Sequence, residues 1–155
     1  MRVFIVDESA IMRERLAAII SDLAGAIELI GQAEDASGAA EAIRRLKPDL
    51  VILDLRTRSG SGIQVLREIK ADATAPIVVI LTNYPYPQYR KQCQELGAEY
   101  FFDKSMDFDR VPELLQQLHP LCRTNPDNNG KRSDTAISVS PISLQSLNDY
   151  AVGES

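Results

Sequence analysis

Short apolar runs alternate with longer segments of helical period from residue 2 to about residue 122. The runs are rich in Val, Ile and Phe, which is typical of buried strands. Between them the apolar residues recur every three to four positions, which predicts helices that each bury one face. The predicted strands are 2–6, 27–33, 50–53, 77–81 and 99–102.

A segment of helical period follows each predicted strand. The first and last segments have the strongest apolar faces, whereas the fourth, at about 86–96, is mostly polar. Ser9 and Ser37 stand where helix N-caps are needed, and Gly25 and Gly97 stand where helices should end. The apolar positions of the first and last faces are Met12, Leu16, Ile19, Ile20 and Leu23, and Val111, Leu114, Leu115, Leu118 and Leu121.

Five strands that alternate with five helices predict an α/β fold. Parallel strands need a crossover connection, which is usually a helix, so the sheet should be covered on both faces. We expect a flavodoxin-like, parallel five-stranded sheet of order 2-1-3-4-5. The switch point of that order lies between strands 1 and 3, and ligands of open α/β sheets bind beyond the carboxyl ends of strands at such a point.

The bulk composition limits the class of protein. A chain of 155 residues fits one domain, which we place at 1–122, followed by a flexible tail at 123–155 whose polar composition cannot build a second core. No apolar run approaches the roughly 20 residues of a membrane span. The two cysteines, Cys93 and Cys122, cannot form a disulfide framework and have no partners at zinc-ligand spacing. A net charge of −5 argues against non-specific nucleic-acid binding, so we expect an acidic cytoplasmic domain.

Charged residues stand just beyond three of the predicted strands. Asp7 follows the first strand, with Glu8 beside it; Asp54 follows the third, and Lys104 closely follows the fifth. Because the carboxyl ends of parallel strands meet at one edge of a sheet, these side chains should converge there. Carboxylates beside an ammonium group would suit a divalent metal and a phosphoryl group.

At these residues the chain resembles the receiver domains of two-component response regulators, in particular the stand-alone, single-domain type. The resemblance covers residues 1 to about 122, which is the whole of the predicted domain. Its marks, in chain order, are the acidic pair Asp7 and Glu8, then Asp54, Thr82 and Lys104.

The resemblance implies a role for each of these residues. Asp54 would be the phosphoacceptor, because a carboxylate can attack phosphorus and hold the phosphoryl group as an acyl phosphate. Mg²⁺ would be bound by the side chains of Asp7, Glu8 and Asp54 and by the backbone carbonyl of Arg56. The remaining assignments are Thr82 and Lys104 as contacts to phosphoryl oxygens and Phe101 as the switch aromatic.

The resemblance also implies the partners. The phosphoryl donor would be a phosphohistidine on a histidine kinase or a histidine phosphotransfer protein. The domain would catalyse its own phosphorylation and dephosphorylation and would then signal through an unknown downstream effector protein. We expect no direct contact with nucleic acid and none with a membrane.

Several positions depart from the family pattern. The usual Met-Pro after the phosphoacceptor is missing, although Gly62 stands at its expected place. Ser105 follows Lys104, where many receivers have Pro after a cis bond. Asn83, Arg56 and Tyr84 are bulky residues where access of water is tuned, so we predict slow loss of the phosphoryl group.

Each of these residues also has an ordinary structural explanation. The Asp7–Glu8 pair is favoured at any helix N-terminus, Thr82 is a β-branched strand residue, and Phe101 suits a core. One alternative is therefore a receiver-like module that binds partners without phosphorylation. A flavodoxin-like cofactor binder is disfavoured, because Asp7 and Glu8 would repel the phosphate of the cofactor.

Overall fold

The computed structural model describes residues 1–23 and 25–123, the last four as backbone alone. Within these residues it contains five strands that alternate with five helices. The strands are β1 Arg2–Val6, β2 Glu28–Ala33, β3 Leu50–Leu53, β4 Ile77–Thr82 and β5 Tyr100–Asp103. The helices are α1 Ala10–Asp22, α2 Ala39–Leu46, α3 Gly62–Lys70, α4 Pro87–Glu95 and α5 Arg110–Arg123.

The five strands form one parallel sheet of order β2-β1-β3-β4-β5, as predicted. The central strands are in register at their carboxyl ends, where Val6 pairs with Leu53 and Leu53 with Ile80. Backbone bonds extend this pairing by one residue, since Asp54 N donates to Val6 O at 2.9 Å. The residues that directly follow β1 and β3 therefore begin at the same level of the sheet.

Alternation along the strands divides the apolar side chains between two cores. Phe4, Val6 and Phe101 point to the face covered by α2, α3 and α4. Val3, Ile5 and Phe102 point to the opposite face, covered by α1 and α5. The sheet is therefore buried on both sides, which explains why its strands read as continuous apolar runs.

The predicted helix caps are confirmed at some helix ends and not at others. Ser9 caps α1, and Gly97, with φ of +98°, ends α4. The prediction of Ser37 as a cap was wrong, because Gly38 in a left-handed conformation precedes α2, which starts at Ala39. An N-cap that was not predicted is Ser61, whose hydroxyl accepts from Ile63 N at the start of α3.

The predicted flexible tail at 123–155 lies outside the described residues, apart from the backbone of Arg123. In the described part of the chain, none of the helices has the length and apolar content needed to cross a membrane.

Candidate functional site

The structure brings Asp7, Asp54 and Lys104 together at the carboxyl edge of the sheet. Lys104 Nζ lies 2.7 Å from Asp7 Oδ2 and 2.8 Å from Asp54 Oδ2. All three side chains are at least nine-tenths buried. The sheet positions them, because Lys104 N donates to Thr82 O at 2.9 Å just as Asp54 N donates to Val6 O. One ammonium group thus bridges two carboxylates from neighbouring strands.

Burial and charge act against each other at this cluster. Burial raises the pKa of Asp54, and Asp7 adds to this effect, while the hydrogen bond and charge of Lys104 partly offset it. Burial alone would lower the pKa of Lys104, but its hydrogen bonds to Asp54 and Asp7 outweigh that effect and raise it. Lys104 therefore stays protonated, and its charge stabilises the carboxylates that it contacts.

Each carboxylate also accepts a backbone hydrogen bond through its second oxygen. Asp7 Oδ1 accepts from Ser9 N at 2.8 Å, and Asp54 Oδ1 accepts from Arg56 N at 3.3 Å. These local turns fix the side chains that emerge from β1 and β3, and they leave the Oδ2 atoms to face the common centre.

The donor set at this centre fits a hard cation such as Mg²⁺ in part. Two carboxylates already converge on one cationic group, and the backbone carbonyl of Arg56 accepts none of the hydrogen bonds found within residues 1–23 and 25–123. Glu8 is exposed, and among the described residues no three acidic, His or Cys side chains are grouped closely enough to hold a metal. The structure thus brings the carboxylates of Asp7 and Asp54 together, and Mg²⁺ ordinarily keeps several waters and so needs few protein ligands.

Thr82 ends β4 beside this cluster and is fully buried. Its hydroxyl oxygen accepts from Tyr84 N at 3.1 Å. In the part of the chain that the structure describes, the hydroxyl donates to no protein acceptor, so its proton is free for another group at this edge.

Phe101 lies inward, with no exposed surface, in the core beneath α4. The guanidinium carbon of Arg90 lies 4.8 Å from the centre of its ring. Arg90 Nε also donates to Pro85 O at 3.5 Å, in the loop between β4 and α4. This contact could not be predicted, because Arg90 lies in a polar helix with no periodic apolar pattern.

Arg56 and Tyr84 contact each other in the loops that follow β3 and β4. The Arg56 side chain donates to the Tyr84 hydroxyl, and its guanidinium carbon lies 5.3 Å from the centre of that ring. Both residues line a cavity of about 270 Å³. Asn83, in contrast, is exposed. Two bulky side chains are therefore held together two residues after Asp54 and two residues after Thr82.

The peptide bond between Lys104 and Ser105 is trans. Every peptide bond in the described residues is trans, so Ser105 follows Lys104 without the cis bond that many receivers have at this point.

Comparison with known proteins agrees with this architecture. The family model for the response regulator receiver domain matches residues 3–116. The receiver domain of Thermotoga maritima CheB superposes with a TM-score of 0.68 at 29% identity, covering 81% of this chain and 98% of that one. The chain belongs to the response regulator receiver domain family of two-component signalling.

Curated relatives are longer than this chain. An uncharacterized response regulatory protein of Vibrio cholerae is 36% identical over 74% of this chain and 46% of its own length. A protein-glutamate methylesterase/protein-glutamine glutaminase of Rhizobium johnstonii is 38% identical over 98% of this chain and 43% of its own length. The chain thus spans less than half the length of these relatives.

Proposed function

We propose that the chain accepts a phosphoryl group on Asp54 from a phosphohistidine, in a reaction that depends on Mg²⁺. The observation that carries this proposal is the buried Lys104 ammonium held 2.8 Å from one carboxylate and 2.7 Å from another. A lysine on the surface would be solvated, whereas this ammonium is buried beside Asp54, where it would stabilise negative charge on a phosphoryl oxygen.

The chemistry follows from the roles of these groups. A carboxylate oxygen of Asp54 attacks phosphorus, the P–N bond to the donor histidine breaks, and the bond electrons leave with the imidazole. The Lys104 ammonium and the Thr82 hydroxyl donate to oxygens of the transferred group. Mg²⁺, when held by Asp7, Asp54 and the Arg56 carbonyl, supplies further positive charge at those oxygens. Glu8, being exposed, would add negative charge beside the ion rather than bind it directly.

Phosphorylation by a small donor tests this proposal. Incubation with acetyl phosphate and Mg²⁺ should add the mass of one phosphoryl group to the intact chain. The gain should vanish in Asp54→Asn and in the presence of a chelator. A wild-type chain that gains no mass would favour the alternative, a receiver-like module that binds its partners without phosphorylation.

We also propose that the phosphohistidine protein docks beside Asp7 and Lys104. Ile11 and Met106 are 71% and 80% exposed, and they lie shortly after Asp7 and Lys104 in the chain. Arg15 stacks on the ring of Phe108 at 4.1 Å, which joins α1 to the loop that carries Met106. Exposed apolar residues on a surface that this contact holds in place are typical of a docking site for a protein partner, here in the cytoplasm.

Replacement of Ile11 and Met106 by Ser should slow transfer from a histidine kinase but not from acetyl phosphate, which needs no docking surface. Tyr86→Ser is the matched control, because Tyr86 is 51% exposed and precedes α4 on the opposite face of the sheet. Equal loss of transfer from both donors would contradict this placement of the kinase.

Output would run through the surface of α4, β5 and α5 to an effector protein. Movement of Thr82 toward the phosphoryl group would change the environment of Phe101 through the loop that links β4 to α4. Phosphorylation then acts by favouring one of two conformations to which the effector binds with different affinity.

The lifetime of the phosphoryl group should be long, because Arg56 and Tyr84 restrict access of water to Asp54. The variant with Ala at Arg56, Tyr84 and Asn83 should lose its phosphoryl group faster than the wild type. Loss of radiolabel from the purified phosphoprotein measures this rate, and an unchanged or slower rate in the variant would contradict the shielding role.

A further inference from the structure

The loop between β3 and α3 is fixed at its base. Gly62 N donates to Leu55 O at 3.0 Å, and Arg56 N donates to Asp54 Oδ1 at 3.3 Å. These bonds close the loop next to the phosphoacceptor, but they do not hold its tip, which contains Thr57, Arg58 and Ser59.

Thr57 holds the tip through a buried hydroxyl. The residue is 6% exposed, and its Oγ1 accepts from Ala36 N at 3.2 Å. The same oxygen lies 3.2 Å from Ser59 O and 3.1 Å from Gly60 O, and its single proton donates to one of them at a time. The hydroxyl therefore joins this loop to the loop between β2 and α2.

Arg58 makes a second, weaker connection to the same place. Its Nη1 lies 3.2 Å from Glu34 Oε1, and its backbone N donates to Glu34 O at 3.4 Å. The Arg58 side chain is 66% exposed, so its ion pair contributes little. The Thr57 hydroxyl contributes more, because it is buried and contacts backbone groups of both loops, beside the direct bond from Ala36 N to Ser59 O at 3.2 Å. Thr57 is thus the main side-chain anchor of the tip.

Arg56 lies between the two anchored parts of the loop. Since its carbonyl accepts no hydrogen bond within the described residues, only the conformation of the adjoining backbone sets its direction. Its neighbour on one side is Leu55, held by Gly62, and its neighbour on the other side is Thr57.

We propose that Thr57 is a positioning residue for the metal site: its hydroxyl ties the β3–α3 loop to the β2–α2 loop and so directs the Arg56 carbonyl toward Mg²⁺. This inference rests on the proposed function, in which that carbonyl is a ligand. It also explains how the loop keeps its shape without the Met-Pro that is usual in the family, since Thr57 and Arg58 stand in that stretch.

The test compares Mg²⁺ affinity of the full chain with three variants, by isothermal titration calorimetry well below their unfolding temperatures. Thr57→Val keeps the shape and removes the hydroxyl, and should weaken Mg²⁺ binding about tenfold, as for other groups that orient a ligand. Thr57→Ser restores the hydroxyl and should bind Mg²⁺ nearly as the wild type does. Thr74→Val is the control, because Thr74 is exposed in the loop before β4.

A second readout separates positioning from general stability. Amide hydrogen exchange at Ala36 should be faster in Thr57→Val than in wild type and Thr57→Ser, while exchange in β4 stays slow. Wild-type Mg²⁺ affinity in Thr57→Val, or equal weakening in Thr57→Val and Thr57→Ser, would overturn the inference alone. A wild-type chain that binds no Mg²⁺ would overturn the proposed function, and this inference with it.

Discussion

At the scale of single residues, the site places one basic side chain between two acidic ones in a region closed to water. Burying a charge is costly unless it is paired, and Lys104 is paired twice. The cluster nevertheless has more acidic than basic groups, so it retains capacity for a further cation. That excess is the physical reason to expect Mg²⁺ beside Lys104 rather than in its place.

We predict that Lys104→Met destabilises the chain by about 3 kcal/mol or more in a chelator, because Asp7 and Asp54 then face each other without a counter-charge. Added Mg²⁺ should restore much of this loss, so the unfolding temperature of the variant should rise more with Mg²⁺ than that of the wild type. Lys91→Met, at an exposed position on α4, is the control. An equal rise of the unfolding temperature with Mg²⁺ in Lys104→Met and in the wild type would contradict the prediction.

Cys93 gives a prediction on pH. Burial raises the pKa of its thiol from 9.0 to about 12. Between these values the folded chain keeps a proton that the unfolded chain has lost, so stability is complete below about pH 9 and falls as the pH rises toward 12. From pH 8 to pH 10 the wild type should lose roughly 1.4 kcal/mol more than Cys93→Ala, as measured by urea unfolding. Equal losses of unfolding free energy in the two proteins over this pH range would show that burial does not raise the pKa of the thiol.

Four of the residues identified from the sequence share one property, which is a position at or directly after the carboxyl end of a strand. Asp7, Asp54, Thr82 and Lys104 could be found because parallel strands bring their ends to one edge. Thr57 and Arg90 could not, since each acts through partners in other elements: Thr57 contacts Ala36, 21 residues away, and Arg90 contacts a ring on β5. No local pattern encodes such contacts.

At the scale of elements, the start of α3 is packed against the backbone that carries the phosphoacceptor. A Cβ on Gly62 would lie 1.9 Å from Asp54 O and 2.8 Å from Leu55 Cα. Gly62 is therefore required by close approach of two backbones. The first residue of α3 and the position of Asp54 depend on each other.

We predict that Gly62→Ala costs about 3 kcal/mol or more and greatly slows phosphorylation, because the backbone at Asp54 must move. Gly25→Ala is the matched control: its φ of +78° disfavours Ala by about 1–2 kcal/mol, but nothing lies within 4 Å of the added Cβ. Thermal unfolding and the rate with acetyl phosphate measure the two effects. Normal phosphorylation in folded Gly62→Ala would contradict this coupling.

The elements themselves were largely predictable. Predicted and observed strands differ by one residue at most at each end, because both faces of the sheet are buried and the apolar runs end where burial ends. The entry to α2 was mispredicted, since a serine can cap a helix only if the backbone begins to turn there. Here the turn is made at Gly38, whose φ is +78°.

At the scale of the whole molecule, the groups proposed for function and a group important for stability lie at opposite edges of the sheet. At the amino edge, Glu99 accepts from Lys70 Nζ at 2.6 Å and from Val78 N at 2.7 Å. Lys70 Nζ also donates to Pro76 O at 2.7 Å. One carboxylate thus connects the end of α3 to the amino ends of β4 and β5. Asp54 lies at the opposite, carboxyl ends of the strands.

We predict that Glu99→Ala lowers the free energy of unfolding by about 1–3 kcal/mol, because Lys70, with a side chain only 13% exposed, loses its charge partner and Val78 N loses its acceptor. Phosphorylation by acetyl phosphate should be unchanged well below the unfolding temperature. Asp72→Ala is the control: its ion pair with Arg44 is nearly half exposed, so its removal should lower the free energy of unfolding much less than removal of Glu99 does. Urea unfolding measures both costs. Slower phosphorylation in folded Glu99→Ala would show that the two edges of the sheet are coupled. An unchanged rate would mean that mutations at the amino edge alter the amount of folded protein and leave its chemistry intact.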